Sequence, residues 1–178
     1  MRVVAGLAGG RRLAAPAGRK VRPTSERVRE ALFNSLGSLD AVEGAAVVDL
    51  FAGTGALGIE ALSRGAASAV FVDADPRAIS AIKENLGATG LRERARVVQA
   101  DVLRFLAGTP PDVAPFDVAF ADPPYAFDDW PALLAVVPAR MVAIEARSHV
   151  LLGPGWGPLR SKRYGDTVVT LARRVEGE

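Results

Sequence analysis

The sequence predicts an α/β fold with a mostly parallel, doubly wound sheet covered by helices on both faces. Three observations lead there. From residue 46 onward, short apolar runs alternate with stretches of helical spacing, which is how repeated βαβ units are written. The first of these runs passes through a glycine-rich turn directly into a helix, DLFAGTGALG at 49–58. Finally, Asp49, Asp73, Asp101 and Asp122 stand at the ends of their runs, and open α/β sheets bind ligands at the carboxyl ends of their strands.

Taken in order, RVVAGLAGGRRLAAP at 2–16 has two short apolar runs around Gly9 and Gly10, readable as a flexible hairpin or arm. TSERVREALFNSLGSL then spaces Val28, Ala31, Leu32 and Leu36 as a helix does, with Thr24 or Ser25 as N-cap after Pro23 and Gly37 as a stop. Residues 46–51, AVVDLF, read as a strand and 55–65 as a helix. Residues 68–75, SAVFVDAD, follow as a strand, and 76–90 as a helix with Pro76 in its first turn. ARVVQAD (95–101) is a strand, VLRFLAG (102–108) a short helix and FDVAFAD (116–122) a strand. DWPALLAVV (129–137) is helical, MVAIEA (141–146) a strand, and TVVTLARR (167–174) a last strand after a Gly-rich connection. A boundary is expected at 38–45, between an N-terminal extension with its helix (1–40) and the sheet domain (41–178).

Composition narrows the chemistry. The chain has 178 residues, 49% of them apolar, enough for one domain with a sizeable core. No apolar run approaches the roughly 18 residues of a membrane span, and the first residues lack the long apolar stretch of a secretory signal, so a soluble cytoplasmic protein is expected. There is no cysteine, and His149 is the one histidine. Disulfides, thiolate chemistry and Cys-ligated zinc are thereby excluded, and a His-based metal site or a Ser-His triad is disfavoured. The chemistry must run on carboxylates, backbone groups or a bound cofactor.

The net charge of +2 is unevenly placed. Residues 1–30 hold eight Lys and Arg against two Glu, a net of +6, while the remaining residues are net −4. A cationic arm on an acidic body points to a polyanionic partner, because each phosphate neutralised releases counterions. Arg11, Arg22, Arg27 and Arg29 are the expected phosphate contacts, with Val28, Ala31 and Leu32 anchoring the helix that carries the last two.

Gly53, Gly55 and Gly58 form a GxGxxG turn through which backbone can pass close to a ligand. Asp73, twenty residues beyond Gly53 at the next strand's end, is placed to accept hydrogen bonds from two ribose hydroxyls. That pair alone would also suit a dinucleotide. Asp49, however, puts an acid where a pyrophosphate prefers none, and suits a ligand with an ammonium end. Asp101 reads two ways, as an acceptor for an adenine amino group beside the Val102 N–H, or as the N-cap of the helix that follows. Asp75 before Pro76 reads as a cap.

The stretch ADPPY, 121–125, ends a strand on an acid, two residues without N–H groups and an aromatic ring. Asp122 and the Pro123 carbonyl are a pair of acceptors held in a stiff turn, matched to the two donors of an –NH2 group. Tyr125 offers a face on which a heterocycle can stack.

DLFAGTGALG together with ADPPY resembles the S-adenosylmethionine-dependent amino-methyltransferases, whose motif is Asp or Asn, two prolines, then Tyr or Phe. RPTSERVREALFNSL, DLFAGTGALGIEALSRGA and FVDAD are similar to the bacterial 16S ribosomal RNA guanine-N2 methyltransferases, and the likeness extends from RVVAG to YGDTVVTLARR. The resemblance implies a Rossmann-like, seven-stranded class I methyltransferase sheet with a short basic N-terminal extension for RNA. It implies S-adenosylmethionine as cofactor, leaving S-adenosylhomocysteine. Asp49, Phe51, Gly53, Thr54 and Gly55 would hold the methionine part, Asp73 the ribose, and Asp101 with Val102 the adenine. Asp122, Pro123, Pro124 and Tyr125 would hold a guanine of 16S ribosomal RNA, in the small subunit or an assembly intermediate. A monomer needing no metal and no membrane is implied. The family often has Glu where this chain has Asp73.

Other readings share parts of this pattern. DNA amino-methyltransferases carry the same tetrapeptide, but with a separate target-recognition region for which no segment here is large enough. A nicotinamide oxidoreductase leaves ADPPY unused. A catalytically silent RNA-binding assembly factor has no need of intact Asp49, Asp73 and Asp122.

Overall fold

The computed structural model describes residues 1–16, 25–109 and 115–175. Its helices are α1 (Glu26–Gly37), α2 (Ala56–Ser63), α3 (Pro76–Thr89), α4 (Val102–Ala107) and α5 (Trp130–Val136). The strands are β1 (Ala46–Leu50), β2 (Ser68–Asp73), β3 (Ala95–Gln99), β4 (Phe116–Ala121), β5 (Ala139–Ala146), β6 (Trp156–Tyr164) and β7 (Thr167–Arg174). They form one seven-stranded sheet in the order β3-β2-β1-β4-β5-β7-β6. β1 to β5 pair in parallel, and β7 pairs antiparallel with both β5 and β6.

Both faces of the sheet are covered, and the two-residue period of a strand assigns its side chains to them. Val47, Phe71, Phe120 and Ala143 pack with α1, α2 and α3 on one face. Their neighbours Val48, Val72, Ala119 and Val142 pack with α4 and α5 on the other. Strand order reverses between β1 and β4, so the crevice at that switch point opens at the carboxyl ends of both.

The expected caps are present. The Ser25 hydroxyl accepts from Val28 N–H at the start of α1, and Asp75 accepts from Arg77 N–H ahead of Pro76. Thr24, Pro23 and Arg22 lie outside the described residues.

Three expectations need correction. Residues 2–16 do form a hairpin-like turn, with Val3 N–H donating to the Arg11 carbonyl and Gly10 N–H to the Val3 carbonyl, but it is clamped rather than loose. Glu60 on α2 accepts from the N–H groups of Val4 and Ala5 at 2.8 and 3.1 Å, and Asn85 on α3 exchanges two hydrogen bonds with Ala14. Nor is 1–40 a separate extension. Val3, Ala8, Leu13, Leu32, Phe33 and Leu36 share one apolar cluster with the sheet, and Phe33 stacks 5.5 Å from Phe120 of β4. Third, the connection after β5 contains a strand, β6, whose residues Pro158–Arg163 are exposed.

Candidate active site

A cavity of about 610 Å³ opens at the switch point. Asp49, Phe51, Gly53, Thr54, Asp73, Asp101, Val102 and the whole turn Asp122–Tyr125 line it. A second depression, about 880 Å³, lies at the amino-terminal ends of the parallel strands β1, β4 and β5. Of its acids Asp40, Glu43 and Asp117, the last is engaged by Ala46 N–H at 2.9 Å and by Arg140 at 3.5 Å.

The glycine turn is built from three different constraints. Phe51 and Gly53 both have positive φ, 58° and 57°, and Gly55 caps α2 from the left-handed region at φ 78°. A phenylalanine in that region is strained, which surrounding structure must enforce. Phe51 is held edge-on by Phe127 at 5.1 Å, and Phe127 by Trp130 at 5.1 Å. Gly58 serves packing rather than ligand approach, because a Cβ there would lie 2.4 Å from the Phe71 ring.

Two buried carboxylates tie this turn to the sheet. Asp49 Oδ2 accepts from Gly58 N–H at 2.8 Å. Asp73 Oδ2 accepts from Gly53 N–H at 2.8 Å and its Oδ1 from Asp75 N–H at 2.9 Å. Asp49 is 2% exposed, and burial pushes its carboxyl well above its ordinary range. The Gly58 N–H opposes that rise, and the nearby charges of Asp122 and Asp73 add to it. Asp101 caps α4 through Arg104 N–H at 2.9 Å and also lines the cavity. Its two sequence readings are therefore compatible, with Oδ1 given to the cap.

At the other wall, the Asp122–Tyr125 turn is closed by Phe127 N–H donating to the Pro124 carbonyl at 2.8 Å. Tyr125 is half exposed, and the Arg147 guanidinium lies 3.8 Å from its ring centroid. One face of the ring expected to stack a base is thus already covered.

Several lining residues escaped the sequence reading: Glu145, Arg147, Phe127, Trp130 and Tyr164. Glu145 had a usable signal, since it stands one residue before the end of β5, close to the place Asp73 has in β2. Phe127 and Trp130 follow ADPPY closely but carry no motif.

The phosphate role expected of Arg29 is overturned. Arg29 is fully buried, its Nε lies 3.4 Å from Glu60 Oε2, and it donates to the Arg2 carbonyl. It occupies the same helical stripe as Leu32, Phe33 and Leu36, so it faces inward. Burial lowers its pKa, opposed chiefly by Glu60. Arg27 and Arg11 are exposed, the latter donating to the Ala88 carbonyl at 2.7 Å.

Strand order, crevice and glycine turn together are those of the Rossmann-like methyltransferase fold. The chain belongs to the Conserved hypothetical protein 95 family, whose model matches residues 1–173. It is 42% identical over 137 residues to "Putative rRNA methyltransferase YlbH" of Bacillus subtilis, covering 77% of this chain and 73% of that one. Identity to the Escherichia coli K12 "Ribosomal RNA small subunit methyltransferase D" is 42% over 127 residues, covering 70% of this chain and 60% of the relative's length. A solved structure of a hypothetical protein from Thermus thermophilus superposes with a TM-score of 0.82 at 36% identity, over 96% of this chain and 98% of that one.

Proposed function

We propose that this chain transfers a methyl group from S-adenosylmethionine to the exocyclic N2 amine of a guanine in small-subunit ribosomal RNA. The observation that carries the reading is the meeting of Asp49, Asp73 and Asp101 with the Asp122–Tyr125 turn in one cavity. Its volume lies within the roughly 300–1,000 Å³ of sites for cofactor-sized ligands. The names of the Bacillus and Escherichia relatives agree with it.

The residues present fit that cofactor. A carboxyl as buried as Asp49 is costly to ionise alone and is stabilised by a ligand's ammonium group. Asp49 and the backbone from Phe51 to Gly55 would hold the amino-acid end. Asp73, whose two oxygens each keep a lone pair beyond the backbone bonds they accept, would hold the ribose, and Asp101 with Val102 N–H the adenine. When bound, the cofactor supplies an electrophilic methyl carbon on a sulfonium centre.

The chain's own part is to make a poor nucleophile competent. Guanine's amine lone pair is delocalised into its ring. Asp122 and the Pro123 carbonyl, accepting its two N–H groups, favour a pyramidal nitrogen with the lone pair directed out of the ring plane. Positioning and preorganised acceptors supply the catalysis. As the new N–C bond forms, the methyl's bond to the sulfonium sulfur would break, its electron pair staying on sulfur as a neutral thioether, and one amine proton would leave to Asp122 or to water. Tyr125 offers the base the ring face that Arg147 does not cover.

Two measurements test this. Calorimetry with S-adenosylmethionine, S-adenosylhomocysteine and NAD should give binding for the first two alone. Mass mapping of small-subunit ribosomal RNA from cells with and without the protein should differ by one N2-methylguanine. NAD binding, or identical maps, would refute the assignment.

A further inference from the structure

Charge along the chain falls into three blocks. Besides the +6 of residues 1–30, residues 147–174 carry six Lys and Arg against Asp166 alone, a net of +5. All remaining residues together are net −9. The second basic block comprises the β6–β7 hairpin and the connection leading into it.

β6 is the outermost strand and pairs antiparallel with β7, which itself pairs antiparallel with β5. β6 therefore runs in the same direction as β5 and delivers its carboxyl end to the side of the sheet where the cavity opens. Tyr164, the last residue of β6, lines that cavity. Arg160, Lys162 and Arg163 precede it on an exposed stretch. Lys162 Nζ stands 5.3 Å from the Tyr164 ring. Arg163 donates to the Arg147 carbonyl at 3.2 Å, and the Arg147 guanidinium covers Tyr125. Arg163 and Arg147 thus connect the sheet edge to the Asp122–Tyr125 turn, while Arg160 and Lys162 project from the other face of the same exposed strand.

We propose that Arg160, Lys162, Arg163 and Arg147 form a track for the RNA sugar-phosphate backbone on one side of the target base. This deepens the methyltransferase reading and rests on it. Edge strands often carry charges, lysine above all, that prevent pairing with another sheet. What goes beyond that purpose here is the contact of Arg163 with Arg147, and of Arg147 with Tyr125 in the cavity wall. The charges of the strand are all positive, on a body whose acidic remainder repels phosphate. At about 3.3 Å per residue, Arg160 to Arg163 spans about 10 Å, so the three contacts are separate ones. Met1, Pro16, Ser25 and Val28, from the other basic block, line the cavity as well.

The test is binding of small-subunit ribosomal RNA, followed by fluorescence anisotropy at several salt concentrations, for wild type and the triple variant Arg160→Ala, Lys162→Ala, Arg163→Ala. Arg96→Ala, on the opposite edge strand β3, is the control. The triple variant should flatten the log–log salt slope by about 2, at ~0.7 per lost contact. Its KM for RNA should rise on the order of tenfold, with kcat and cofactor affinity unchanged. An unchanged slope, or an equal effect from Arg96→Ala, overturns the proposal. So does normal binding of bare RNA with lost binding of assembled subunits, which would assign the track to a ribosomal protein. Because anisotropy needs no turnover, a slope lost as expected from a protein that methylates no RNA refutes the methyltransferase reading and leaves the track standing.

Discussion

Asp73 accepts the Gly53 N–H at 2.8 Å, so the acid that ends β2 fixes the turn that follows β1. Its carboxylate shapes the turn through that bond alone. Asp73→Ala should therefore weaken S-adenosylmethionine binding by about 1–3 kcal/mol, the scale of leaving polar groups unpaired, and lower the thermal midpoint as well. Calorimetry and thermal unfolding on the same variant check both; unchanged cofactor affinity in the folded variant removes the ribose assignment.

Asp122→Ala should separate chemistry from binding. Cofactor affinity should stay near that of wild type, while single-turnover methylation falls on the order of 10²-fold, as when one positioned hydrogen-bonding group is removed. Retention of full single-turnover rate would refute the role given to this carboxylate.

Asp49 makes a prediction in pH. Its carboxyl is pushed up chiefly by burial, so between the ordinary carboxylate value and the raised one, the folded state holds a proton that the unfolded chain has lost. That contribution is complete below the ordinary value and is lost as pH rises through the raised one. Denaturant titrations from about pH 4 to about pH 8 should show Asp49→Asn with a flatter profile than wild type. Because a ligand ammonium favours the ionised carboxylate, cofactor binding should release a proton in wild type and not in the variant. Calorimetry in buffers of different ionisation enthalpy measures that release.

Glu60 joins three segments: it accepts from Val4 and Ala5 N–H, pairs with Arg29 of α1 and receives Arg64 Nε at 2.7 Å. Glu60→Gln leaves Arg29 buried without its counter-charge, and removing one partner of a buried pair costs about 3–5 kcal/mol. Urea unfolding should show that loss, with amide exchange speeding first at Val4 and Ala5. Arg27→Ala, on the exposed side of the same helix, should leave stability within about 0.5 kcal/mol.

The parallel strands and their acids were legible because βαβ periodicity and a carboxylate at a strand's end both reside in a few adjacent residues. Arg29 was misplaced because its charge outweighed its position, although 29, 32, 33 and 36 make one helical stripe. β6 was invisible for the opposite reason. An edge strand exposed from Pro158 to Arg163 has no buried face to impose an apolar alternation. Arg147 over Tyr125 joins two loops, and no local pattern encodes a contact of that kind.

Asn85 holding Ala14 also orders events during synthesis. The arm leaves the ribosome before its partner, which lies 71 residues further along. At about 5–20 residues per second, Val3, Ala8 and Leu13 wait for several seconds, with no place to bury themselves, until α2 and α3 have emerged. The arm is thus secured only after a segment made later. Slowing translation between codons 16 and 85 should lengthen the interval in which a nascent-chain protease cuts the arm, while chains already complete stay resistant at the same site.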